Sequence, residues 1–89
     1  MVLCKRVCYG GRVQGVGFRY TTRRLAEGFP VTGYVRNLGN RDVELVAEGE
    51  SAAVQALLSA VAERMQGYIT GIDVQAEAPA GYSAFEIRH

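Results

Sequence analysis

Eighty-nine residues, 48% of them hydrophobic, suffice for one hydrophobic core and are too few for two, so residues 1–89 are expected to form a single domain. A net charge of +1 excludes the strong basic field of a nucleic-acid or anionic-membrane binder, and any anion recognition has to be local. The first residues, Met1-Val2-Leu3-Cys4-Lys5-Arg6, lack a continuous apolar run and no stretch is long enough to span a bilayer, which predicts a cytoplasmic protein.

Leu3 to Tyr9 reads as a strand bounded by Gly10-Gly11, with Lys5 and Arg6 blurring its alternation. Cys4 and Cys8 on that strand would have Cα atoms roughly 13 Å apart, about twice the reach of a disulfide, so both are expected as free thiols. The lone histidine, His89, lies at the far end of the chain and is expected to take no part in chemistry. No set of metal ligands is assembled by spacing, and neither a metal nor a cofactor is expected.

A glycine-rich loop follows, Gly10-Gly11-Arg12-Val13-Gln14-Gly15-Val16-Gly17, and it delivers Phe18-Arg19 onto the first turn of a helix. The amides and dipole of a helix N-terminus disfavour a cation there by roughly 0.3–1 kcal/mol unless an anion joins it. Glycines let backbone amides turn inward onto such an anion, and a guanidinium adds a two-point fork suited to phosphate oxygens. Spacing leaves two readings open: an oxyanion cradle, or an ordinary strand-to-helix turn with Arg19 in water. Nucleotide motifs do not fit, since Gly15 is followed by Val16-Gly17 where a P-loop needs lysine, and Tyr20 stands where a dinucleotide fingerprint needs glycine.

From Phe18 the positions Phe18, Thr22, Leu25 and Phe29 recur at helical spacing until Gly28-Phe29-Pro30 ends the run. Arg23 and Arg24 read as solvated charges on this helix, and Tyr20 and Tyr34 as partly buried packing residues. Val31 to Leu38 is a strand with Val31, Gly33 and Val35 on one face, and Val43, Leu45 and Ala47 alternate with Glu44 and Glu48 in the strand that pairs with it. In the turn between them Gly39 and Asn40 are expected to supply any positive φ, leaving Arg41 in ordinary strand geometry. Ser51 is the expected N-cap of a second helix with Val54, Leu57, Leu58, Val61 and Met65 on one stripe and Gly67 as its stop. Ile72, Val74 and Ala76 mark a fourth strand, and Phe85 and Ile87 a short last one. The order predicts an α+β class: a ferredoxin-like βαββαβ sandwich, with a mainly antiparallel sheet, two helices on one face and a short terminal strand. That architecture hosts many functions, so the site must decide.

Gly11-Arg12-Val13-Gln14-Gly15-Val16-Gly17-Phe18-Arg19, together with Gly33-Tyr34-Val35-Arg36-Asn37-Leu38 and Val43 to Gly49, closely resembles the two signature stretches of the acylphosphatase family. The resemblance extends over both helices to Phe85-Glu86-Ile87-Arg88. It implies hydrolysis of acyl phosphates to carboxylate and inorganic phosphate without a metal. By the same resemblance Arg19 binds the phosphate, Asn37 orients the attacking water, and the backbone of Gln14, Gly15, Val16, Gly17 and Phe18 cradles the substrate. The implied partners are a small-molecule acyl phosphate and the product phosphate, with no nucleic acid and no membrane, and the chain is expected to act as a monomer. Two departures stand out: Arg41 where the family usually has glycine, and Phe29-Pro30 where it has leucine-glycine. The alternative is a non-catalytic ferredoxin-like binding module, either for RNA, with Tyr9 and Tyr34 as stacking residues, or for acyl phosphate on behalf of a partner.

Overall fold

The computed structural model describes residues 1–89 and contains the elements β1 (Val2–Gly11), α1 (Phe18–Ala26), β2 (Val31–Asn37), β3 (Val43–Glu50), α2 (Ser51–Arg64), β4 (Ile69–Glu77) and β5 (Phe85–Arg88). They form one five-stranded sheet in the order β4-β1-β3-β2-β5, antiparallel except where β5 pairs parallel to β2. β3 lies between β1 and β2, so the β1–α1–β2 crossover is split, and the ferredoxin-like α+β class is the observed one.

Side-chain parity decides what each face of the sheet carries. Val7 and Tyr9 of β1, Val31 and Val35 of β2, and Val43, Leu45 and Ala47 of β3 share the face beneath the helices. There they pack on Phe18 and Ala26 of α1 and on Val54, Leu57, Val61 and Met65 in and just after α2. The opposite face carries Cys4, Arg6, Glu44, Val46, Glu48, Tyr34 and Arg36, and it is not simply open to water. Glu44 is 1% exposed because Arg6 and Arg36 close over it, and Glu48 is buried where it accepts the amides of Ala80 and Gly81 in the segment between β4 and β5.

Three local expectations need correction. Ser51 is the first residue of α2 and Glu50 its N-cap, with no side-chain capping bond; the Ser51 amide is instead taken by the Met1 carbonyl. α1 stops at Ala26, and its last carbonyls are satisfied by i→i+3 bonds, from the Gly28 amide to Leu25 at 3.0 Å and from the Phe29 amide to Ala26 at 3.1 Å. The helix therefore needs no left-handed residue at its end, and Pro30 is accommodated. The third concerns Arg41, which has φ 76°. Leu38 and Asp42 close a three-residue loop, with the Leu38 amide donating to Asp42 at 2.8 Å and the Arg41 amide to Leu38 at 3.2 Å. Such a loop needs its third residue left-handed, and Gly39 and Asn40 sit two places and one place too early to supply it.

Candidate active site

The loop from β1 to α1 is pinned at both ends. The Arg12 amide donates to the Tyr68 carbonyl at 2.9 Å, Val13 is buried in the core, and the Phe18 ring packs on Tyr9 with centroids 5.0 Å apart. Between those anchors Gly15 and Gly17 both have φ 78° while Val16 keeps a negative φ. Such alternation of φ turns successive amides toward one side, a backbone concavity whose chemistry suits an anion. A Cβ at either glycine would meet nothing within 4 Å, so conformation, not space, calls for glycine there.

Gly17 is the N-cap of α1 and offers no side chain to the first turn, which also contains no acidic residue. None of the backbone amides from Val13 to Tyr20 donates a hydrogen bond inside the protein. Orphan donors in such number, with the positive end of a helix behind them, are an arrangement suited to an oxyanion. Val16 and Phe18 turn their side chains into the core, so only their amides can serve it.

Arg19 leaves the first turn of α1 toward the end of β5, where Nη1 donates to the Arg88 carbonyl at 3.3 Å and lies 3.2 Å from His89 Nδ1. Arg88 is paired with Arg36 across the β2–β5 register, so the guanidinium arrives beside the last residues of β2. Asn37 ends β2 on the helix-facing parity, opposite Val43, which is in turn opposite Tyr9 beneath Phe18. That cross-strand row brings Asn37 to the same end of the sheet as the glycine loop. Its side-chain amide is exposed and has no partner within the protein.

Gln14 plays a different part from its neighbours. Its Nε2 donates to the carbonyls of Leu38 and Asp42, each at 2.9 Å, and so ties the glycine loop to the closing pair of the hairpin that begins just after Asn37. Both side-chain donors are thereby used, and what Gln14 can still offer an anion is its backbone amide.

The arginines of the opposite face are spent. Burial pushes the Glu44 carboxyl up, and hydrogen bonds from Arg36, at 2.6 Å, and from Arg6 more than reverse this and hold it below the ordinary glutamate value. Burial pushes both cysteine thiols up, which keeps them protonated and poorly nucleophilic. Tyr9 is enclosed in the core, and Tyr34 is taken up by Tyr82 in an edge-on contact and by the Arg88 guanidinium 4.0 Å from its ring centre. Neither presents a free ring face for a base. Tyr20, expected to pack, is 72% exposed.

Two neighbours of the site escape sequence reasoning. His89 is 70 residues from Arg19 and meets it only because β5 returns alongside β2. The Gln14 tether has no signal of its own, since one glutamine in a glycine loop has no fixed partner; only the hairpin register reveals it.

The family model for acylphosphatase matches residues 5–87. An acylphosphatase of Methanospirillum hungatei is 41% identical over 80 residues, which are 88% of this chain and 88% of that one. The crystal structure of an acylphosphatase from Bacillus subtilis superposes with a TM-score of 0.87 at 34% identity and covers both chains completely. One from Coxiella burnetii gives 0.88 at 36% identity over 98% of this chain and 93% of that one.

Proposed function

The chain belongs to the acylphosphatase family and is an enzyme that hydrolyses acyl phosphates, and from that premise we propose that Arg19, Asn37 and the amides of residues 14–18 carry the reaction. An acyl phosphate is a mixed anhydride whose leaving group is a carboxylate, with an acid pKa of about 4. Such a group departs without a protein general acid. The remaining tasks are to neutralise phosphoryl charge, hold the group in line and place a water, which is positioning and electrostatics.

The amides of Gln14, Gly15, Val16, Gly17 and Phe18 bind the phosphoryl oxygens, and Arg19 adds its fork. Asn37 holds the water through its carbonyl oxygen while its NH₂ donates toward the phosphoryl group. Water attacks phosphorus, the P–O bond to the acyl oxygen breaks, the carboxylate leaves with that bond's electrons, and the water's proton passes to the phosphoryl oxygens. Inorganic phosphate remains in the cradle as product. The reaction in this form needs no metal. Every working group of this reading comes from one chain, so a cytoplasmic monomer suffices for it.

The observation that carries this reading is the run of unpaired amides beside Arg19. Its test is hydrolysis of benzoyl phosphate in the presence of chelator, with inorganic phosphate as inhibitor. Competitive inhibition and full activity with chelator are expected; noncompetitive inhibition would place the anion elsewhere, and rescue by a divalent metal would end the metal-free mechanism.

A further inference from the structure

β4 and β5 form the two edges of the sheet, and they are protected unequally. β5 has four residues and carries Glu86 and Arg88, the shortness and charge that discourage another strand from pairing with an edge. β4 has nine residues with no lysine, arginine or proline among them, and its outer row of backbone N–H and C=O groups has no strand beside it. Ile72 and Val74 stand opposite Tyr9 and Val7 of β1, so with Ala76 they lie on the helix side, while Asp73, Gln75 and Glu77 lie on the other. Tyr9 and Val7 are each 1% exposed beneath the helices, yet Ile72 and Val74 are each 51% exposed, because the helical cover stops one strand short. Apolar residues alternating with polar ones is the pattern of a strand with one covered face, and within a single chain this face is left half open.

We propose that a second copy of this chain pairs with β4 edge to edge, antiparallel about a two-fold axis at Val74, so that two five-stranded sheets become one of ten strands. Such an axis keeps the apolar sides of the two copies level. Val74 then faces Val74 of the second copy, Ile72 faces Ala76, and Asp73 faces Gln75, whose amide already donates to Asp73 within its own strand at 3.3 Å and has a second N–H to offer. Charge and backbone select this register over its neighbours. An axis at Asp73 would set two carboxylates face to face, and one at Gln75 would set Asp73 against Glu77. An axis at Ile72 would draw Ile69 and Thr70 into the ladder, and these lie at the bulge where the register shifts between Gly10 and Gly11. Each copy keeps a complete glycine loop, Arg19 and Asn37, so pairing leaves the catalytic reading untouched.

The test is sedimentation equilibrium of the whole chain with disulfide trapping. The interface is small, so the mean mass is expected to rise from that of one chain toward that of two between about 10 µM and about 1 mM. Val74→Lys, at a half-exposed position, places two ammonium groups on the axis and should hold the mass at one chain with kcat/KM per chain unchanged. Oxidised Val74→Cys should give a dimer linked at residue 74 by peptide mapping. Ile72→Cys should not link to itself, since the two copies of residue 72 are four positions apart along the ladder, roughly 13 Å. A chain that stays single at about 1 mM overturns the proposal and leaves this edge to a different partner. A dimer that Val74→Lys leaves intact, or one that links at residue 72 and not at 74, overturns it as well.

Discussion

Arginines on the two sides of the sheet are held in opposite ways. On the side away from the helices Arg6 and Arg36 clamp Glu44, and Arg88 lies over Tyr34 and pairs with Glu86 at 3.3 Å. On the helix side Arg19, Arg23, Arg24 and Arg64 have no carboxylate partner, and Arg19 makes only one long bond to a carbonyl besides its contact with His89. A guanidinium whose donors are spent on a buried carboxylate contributes to stability and is lost to ligands. Arg19, left with free donors beside a helix N-terminus, adds little to stability and is available for an anion. Arg6 and Arg36 should therefore govern unfolding and Arg19 catalysis, with little exchange between the two.

The sharpest way to break that division is Arg19. Arg19→Ala should lower kcat/KM by about three orders of magnitude and abolish competitive inhibition by phosphate, and Arg19→Lys should do nearly as badly because an ammonium cannot make the planar two-point contact. Near-normal turnover in the lysine variant would refute the assignment. Asn37→Ala comes next, with a fall of roughly two to three orders of magnitude that appears in kcat while the inhibition constant of phosphate stays close to its original value. An effect confined to KM would mean that Asn37 binds substrate instead of placing water. His89→Ala should cost less than tenfold in kcat/KM, since the imidazole touches Arg19 without entering the chemistry; a larger loss in folded protein would make it a working member of the site.

On the stability side Glu44→Gln should destabilise by about 1–2 kcal/mol, less than a fully buried pair would, because Arg6 and Arg36 remain partly exposed to water. The sign of the pH dependence follows from the lowered Glu44 pKa. Stabilisation by the carboxylate is complete above the unfolded glutamate value of about 4.3 and is lost as pH falls through the lower folded value. Urea midpoints should thus drop more steeply between about pH 5 and pH 3 in the parent than in Glu44→Gln, with parallel curves counting against the clamp. The smallest effect belongs to Arg41→Gly, which relieves a left-handed arginine at the cost of added unfolded-state entropy; the midpoint should rise by an amount worth up to about 1 kcal/mol. A lowered midpoint would mean the arginine side chain does something there that its backbone strain conceals.

Much of this protein can be read along the chain, because the signals are local. Alternation in Val31–Val35 and Val43–Ala47, the stripe Val54–Leu57–Val61, and glycines where the loop needs φ > 0 each depend on a few neighbouring residues, and together they determine the order of elements, the sheet class and the glycine cradle with Arg19 on the next turn. What tertiary structure alone decided are the meetings between residues far apart. Gln14 finds Leu38 and Asp42, Arg19 finds the end of β5, Glu44 is buried between two arginines of different strands, and Arg64 of α2 lines one groove with Tyr20 and Arg23 of α1. Even the turn at Arg41 belongs to this second class, since the length of the loop depends on which residues of β2 and β3 face each other. Periodicity tells a segment which side to bury, but strand register and helix packing choose its partners, and those are set by the summed fit of the whole core.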